Sequence, residues 1–165
     1  MSEDVHVIGL KELQKFLDQL APKMEANIMR SALRQGANDI KTEAQNQLSA
    51  HGNIETGLLK KGLKVSTNLK RGVVTASIKA KGKHGYLAHW IEYGVMPHGI
   101  KKGAKRKSGK YQDGKLNPGF KEKPFMRPAL DIKAAQALLT VGETIKKRLT
   151  KAGINTPDVE LEIEL

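Results

Sequence analysis

Hydrophobic residues return at helical spacing near the start of the chain. Leu10, Leu13, Phe16, Leu17 and Leu20 share one face, the pattern of an amphipathic helix. Val5 to Ile8, just before them, is short and apolar and reads as an edge strand or a lead-in. Pro22 interrupts the pattern and suits the first turn of a second helix, predicted from about Pro22 to Ser49. Its apolar stripe is Met24, Ile28, Ala32, Gly36, Ile40, Ala44 and Leu48. Every step is four residues, slightly more than one helical turn, so the stripe drifts round the axis. The spacing therefore predicts a helix that wraps across a sheet. Small residues at Ala32, Gly36, Ala37 and Ala44 permit a close approach to whatever lies beneath.

Ala50 to Gly57, with its His-Gly-Asn and Thr-Gly, reads as a loop. Leu63, Val65, Thr67 and Leu69 then alternate with polar residues, as do Val74, Ala76, Ile78 and Ala80. Lys70-Arg71-Gly72 lies between the two runs, which predicts a hairpin with one buried and one wet face. Tyr86 to Tyr93 is a short helix or strand, ended by Gly94. Val95 to Lys123 is a long loop rich in Gly and Lys, and loops of that length are functional or disordered. A final helix is predicted from about Pro128, with Leu130, Ala134, Leu138, Val141, Ile145 and Leu149 on one side and Gly153 as its cap. The end of the chain alternates Val159, Leu161, Ile163 and Leu165 with acids.

No strand–helix–strand series occurs, so a parallel sheet is not expected. The order predicts an α+β fold: an antiparallel sheet packed by two long helices, with a long basic loop and an acidic C-terminal tail. Residues 1–153 are expected to form one α+β domain that includes the basic loop at 95–123. Residues 154–165 are the tail.

Composition narrows the chemistry. Aromatics are only 4% of the 165 residues, so the core must be built from Leu, Ile, Val and Ala. The absence of cysteine excludes disulfides, thiolate metal sites and cysteine nucleophiles. The acidic start, Met1-Ser2-Glu3-Asp4, lacks the pattern of a signal peptide. No apolar run is long enough for a membrane span. The formal net charge is +12, which favours polyanionic or acidic partners. That charge is polarised along the chain: Gly99 to Lys123 holds nine Lys or Arg against two acids, while Asp158 to Leu165 holds four acids and no base.

Candidate catalytic groups are sparse. His6, His51, His84, His89 and His98 do not form the spaced pair with an adjacent Glu that a helical zinc site needs. Asp39, Glu43 and Glu55 read as a solvated polar face. We therefore expect no enzyme activity, no catalytic residue, no metal, no cofactor and no small-molecule substrate. The strong chemical feature is the basic loop: Lys101, Lys102, Lys105, Arg106, Lys107, Lys110 and Lys115. These bases suit contact with DNA phosphates, with steep salt dependence, or with an acidic protein surface. Few aromatics accompany them, so sequence-specific readout is not expected. The alternating tail reads either as a disordered end or as a strand, Val159, Leu161, Ile163 and Leu165, added to a neighbouring chain that offers a basic face.

Several short motifs occur in a characteristic order: Ile8-Gly9-Leu10, Ala32-Leu33 with Gly36-Ala37, Thr56-Gly57-Leu58-Leu59, Ile91-Glu92-Tyr93-Gly94 and Pro124-Phe125-Met126-Arg127-Pro128-Ala129-Leu130. From about residue 5 to 150 the chain resembles the tail-component, or head–tail joining and tail-completion, morphogenesis proteins of long non-contractile-tailed phages. It departs from them at Val95, where the family often has Thr, and in a longer, more basic loop. The resemblance implies a structural ring of six subunits between the head connector and the tail tube. The implied partners are copies of itself, head-completion or connector proteins, tail-terminator or tail-tube proteins, and DNA in the channel. The implied location is the head–tail junction of the virion, with assembly in the host cytoplasm. The alternative is a free nucleic-acid-binding protein that uses residues 99–123 without sequence preference.

The shared motifs have structural readings as well. Gly57 and Gly94 suit turn conformations that a Cβ would hinder. Pro124 and Pro128 frame a rigid bend that buries Phe125 and Met126, and Arg127 is expected to pair with Glu92. Reversing both charges is expected to rescue the assembly that either single reversal loses.

Overall fold

The computed structural model describes residues 6–7, 9–20, 22–52, 57–99, 116–153 and 163–164. Among them, helix α1 spans Leu10–Leu17, α2 Pro22–Ala50, α3 Leu58–Gly62, α4 Leu87–Tyr93 and α5 Met126–Lys151. Strands β1 (His6–Val7), β2 (Leu63–Lys70), β3 (Val73–Ala80), β4 (His98–Gly99), β5 (Leu116–Asn117) and β6 (Ile163–Glu164) form three two-stranded antiparallel ribbons, β1–β6, β2–β3 and β4–β5. The fold is α+β, with an antiparallel sheet packed against long helices.

The drifting stripe of α2 explains how the helices assemble. Its first half, Ile28 and Ala32, is buried with Leu13 and Leu17 of α1 and Ile145 and Leu149 of α5. Its second half, Ala44 and Leu48, is buried with Leu63, Phe125 and Ala129. Between the two clusters the backbones of α2 and α5 nearly touch at Gly36, where an added Cβ would lie 2.7 Å from the Ala137 carbonyl oxygen and 2.8 Å from Val141 Cγ2. The stripe thus wraps across α5 along most of its length, and at its second half it also meets the sheet, as its spacing predicts, through Leu63 of β2. The reason is the run of small residues. Gly36 meets Ala137 and Ala44 is buried with Ala129, and these flat surfaces on both helices bring their axes close. Met24, at the start of the stripe, stays exposed.

The β2–β3 ribbon lies along α2. Arg34 of α2 donates to Thr67 Oγ1 at 3.1 Å, and Gln45 donates to the Lys60 carbonyl at 2.8 Å. The register pairs Leu63 with Ala80, Val65 with Ile78, Thr67 with Ala76 and Leu69 with Val74, so the two apolar faces coincide. The turn is only Arg71-Gly72, with φ of 51° and 82°. Positive φ at both central residues matches the right-handed twist of the flanking strands.

Two elements were not expected from the sequence, and a third starts slightly earlier than expected. Leu58–Gly62 is a short helix, begun at Gly57, whose φ is 64°. The long loop has an ordered base, because Val95 and Phe120 exchange two backbone hydrogen bonds of 2.9 Å and β4 pairs with β5 just beyond. The final helix begins at Met126, two residues before Pro128. Gly153 follows α5 with φ of 82°, the left-handed conformation expected of its cap. No helix among the described residues is long and apolar enough to cross a membrane.

Candidate assembly site

The start of α5 is held by one side chain of α4. Glu92 is 5% exposed, and its carboxylate accepts the backbone N–H groups of Phe125 at 2.8 Å, Met126 at 2.9 Å and Arg127 at 3.1 Å. A helix N-terminus leaves its first N–H groups without intrahelical partners. Here three of them converge on one anion, and the next residue, Pro128, has no N–H to satisfy. The carboxylate also sits where the helix dipole is positive. Phe125 precedes the helix and has no side-chain cap of its own, so Glu92 does that work from 33 residues away.

Arg127 completes the clamp. Its Nε donates to Glu92 Oε1 at 3.2 Å, and its Nη2 donates to the Glu92 carbonyl at 2.9 Å. Nη2 also lies 3.4 Å from Glu122, and the guanidinium stacks 5.1 Å from the centre of the Tyr93 ring. Burial alone would push the Glu92 carboxyl up. The three backbone N–H groups and Arg127 outweigh that and hold it below the ordinary glutamate value. The Glu92–Arg127 contact therefore exists, but it is not a simple ion pair. An arginine at 92 would aim a cation at three N–H donors and a positive helix end, so double charge reversal is not expected to rescue.

The turn between α4 and the loop is equally constrained. Gly94 has φ of 73°, and an added Cβ would lie 2.8 Å from the Glu122 nitrogen and 2.9 Å from the Phe120 carbonyl oxygen. Lys123 N–H donates to the Ile91 carbonyl at 2.8 Å. His51 reaches the Pro124 carbonyl at 3.0 Å through Nε2, which ties the end of α2 to the same bend. Phe125 is fully buried beneath it with Leu48 and Leu63. Gly94→Ala should cost about 2 kcal/mol, from left-handed strain and backbone contact together. Urea denaturation measures it, and a loss under about 0.5 kcal/mol would contradict the turn described.

Sequence reasoning missed a second feature beside the clamp. Tyr86, Trp90 and Tyr93 fall at i, i+4 and i+7 along α4 and its lead-in and are 56%, 45% and 59% exposed. Tyr86 and Trp90 pack edge to face, with ring centres 5.1 Å apart. Met96, Leu116 and Phe120, on the base of the loop, are exposed too. An open groove of about 650 Å³ runs along this edge, lined by Leu58, Leu59, Tyr86, Leu87, Ile91 and Phe120. The signal for the aromatic row was present in the spacing, but it is legible only once Tyr86 to Tyr93 is known to be helical and not a strand.

The other candidate residues are placed differently. Lys101, Lys102, Lys105, Arg106, Lys107, Lys110 and Lys115 lie outside the described residues, as do Val159, Leu161 and Leu165. The ends of the basic segment are brought together, since Gly99 pairs with Leu116. Ile163 lies in β6, which pairs with His6–Val7 of the same chain. Among the described residues no group of three or more His, Asp or Glu is placed to hold a metal ion.

The best-built site of this small α+β module is a structural clamp beside an exposed aromatic row. The model of one protein family, described as "Bacteriophage HK97-gp10, putative tail-component", matches residues 11–94, from α1 to the glycine that ends α4. The chain belongs to this family. It is a bacteriophage tail-component protein, with a structural role in the virion among other virion proteins. No curated protein and no solved structure matched the chain. The Pro124–Leu130 motif lies beyond the matched residues, yet through Glu92 it is joined to the matched part.

Proposed function

We propose that the chain is a subunit of the ring that joins the phage head to the tail, and that it acts through repeated subunit contacts without catalysis. The observation that carries this reading is the aromatic row of Tyr86, Trp90 and Tyr93, left exposed along α4 and its lead-in beside the clamp. Contiguous apolar surface of this kind marks interaction sites, and Trp and Tyr dominate the energetics of protein interfaces. Heterologous contacts that close on themselves generate rings, six subunits being the number the family resemblance implies. The basic segment between β4 and β5 then faces either channel DNA or an adjoining connector or tail-tube ring, at the head–tail junction of the virion.

Trp90→Ala should leave the fold intact and weaken subunit association by about 2 kcal/mol, roughly thirtyfold. Sedimentation of the purified protein with its neighbouring virion proteins measures this. Phage lacking the gene should accumulate DNA-filled heads and finished tails that fail to join; joined particles in its absence would end the proposal. A second reading, a free nucleic-acid-binding protein, draws on the bases from Lys101 to Lys110. It would take over if a monomer bound DNA with a steep salt slope while head–tail joining went on normally without the protein.

A further inference from the structure

From the arrangement of charge on the β2–β3 ribbon we infer that its β2 edge accepts the acidic tail, residues 158–165, of a second copy of this chain as an added strand. This rests on the ring reading, since it names one of the contacts between subunits. Between Glu55 and Glu92 the chain has no acid, while Lys60, Lys61, Lys64, Lys70, Arg71, Lys79, Lys81 and Lys83 are all bases. On the ribbon face turned away from α2, Lys64 and Lys79 are direct cross-strand partners, and both are exposed. Like charges placed directly opposite each other weaken a strand pair. Neither lysine has a carboxylate partner among the described residues. Lys70 extends the same cationic face along β2.

The opposite face of β2 is apolar and incompletely covered. Leu63 is buried, Val65 is half-buried and Leu69 is 38% exposed. Among the described residues β2 pairs with β3 alone; the Leu63 N–H is bonded to the Lys60 carbonyl, and the outer edge offers backbone groups from Val65 to Leu69. The tail matches both faces at once. Val159, Leu161, Ile163 and Leu165 alternate with Asp158, Glu160, Glu162 and Glu164 over eight residues, the length of β2. Added in the pleat of the ribbon, it turns its aliphatic side chains toward the α2 side and its four carboxylates toward Lys64, Lys70 and Lys79. The wrong register by one residue would reverse both matches. Among the described residues, the pairing the tail would give up within its own chain is that of the two residue pairs of β1–β6.

The chain has no native cysteine, so single cysteines report the contact cleanly. Asn68→Cys places a thiol on the cationic face of β2. It is mixed under mild oxidation with separately tagged copies carrying Glu160→Cys, Leu161→Cys, Glu162→Cys, Ile163→Cys or Glu164→Cys, with and without the neighbouring virion proteins. Cross-linking between copies should follow a two-residue period, with positions 160, 162 and 164 exceeding 161 and 163 about tenfold. Lys64→Glu with Lys79→Glu should abolish it, and adding Glu160→Lys with Glu162→Lys to the Glu164→Cys tail partner should restore it. Equal cross-linking at odd and even positions, or none in either mixture, overturns the strand addition. A ring that forms without the alternation leaves the ring reading standing; alternation without a ring does the reverse.

Discussion

Glu92→Ala is expected to lose about 3–5 kcal/mol of stability, close to the whole stability of many small proteins. The substitution strands three N–H donors at the start of α5 and leaves Arg127 facing an empty site. Each buried donor left without a partner costs about 1–3 kcal/mol. Glu92→Gln keeps the shape but turns an amide NH₂ toward backbone donors, and should cost about 2–3 kcal/mol. Arg127→Ala should cost less than either, because that side chain is half exposed and the N–H groups keep their acceptor. Guanidinium midpoints rank the three, and a Glu92→Gln loss below about 1 kcal/mol would mean the clamp does not hold the helix.

The same residue sets a pH dependence. Its folded-state value lies below the unfolded one, so the unfolded chain takes up the proton first as pH falls. The stability it contributes is complete above about pH 4.3, the ordinary glutamate value, and is lost as pH drops through the lower folded value. The gap in stability between wild type and Glu92→Gln should therefore narrow on acidification below that point. A gap that stays constant or widens would be inconsistent with the hydrogen-bonded carboxylate.

Gly36→Leu is the second large effect, an expected loss of about 3 kcal/mol or more. In an exposed helix the change from Gly to Ala gains about 1 kcal/mol of helix propensity. At this position even the first carbon meets the Ala137 carbonyl oxygen, which belongs to a helix backbone and cannot rotate aside. The helices must separate, and the contacts of Ile28 and Ala32 with Ile145 and Leu149 loosen with them. Gly36→Ala should show the sign of the balance on a smaller scale. A stabilised Gly36→Ala would show that α2 and α5 do not cross so closely.

What the sequence revealed depended on whether the signal was local. The hairpin was legible residue by residue, because period-two alternation and a Gly-containing turn are written within 18 residues. The limits of α2 followed from Pro22 and the four-residue stripe. The partner of that stripe was not legible, since small residues announce a close approach without saying to what. Likewise the co-occurrence of Glu92 and Arg127 suggested a contact, but not that the carboxylate would serve backbone N–H groups; backbone donors leave no mark on composition. The β4–β5 base escaped notice because two-residue strands carry no period.

That base, with the bonds around it, has a consequence for how such proteins diversify. Both ends of the stretch from Gly94 to Pro124 are fixed to α4: one follows it in the chain, and the other is bonded to Ile91 and Glu92. The β4–β5 pairing holds Gly99 beside Leu116, so the segment between them starts and ends at one place. Doubling the length of a closed loop costs only about 0.6 kcal/mol. The segment is thus a replaceable cassette, in which length and charge can be rewritten to suit a new neighbour while the scaffold keeps its shape.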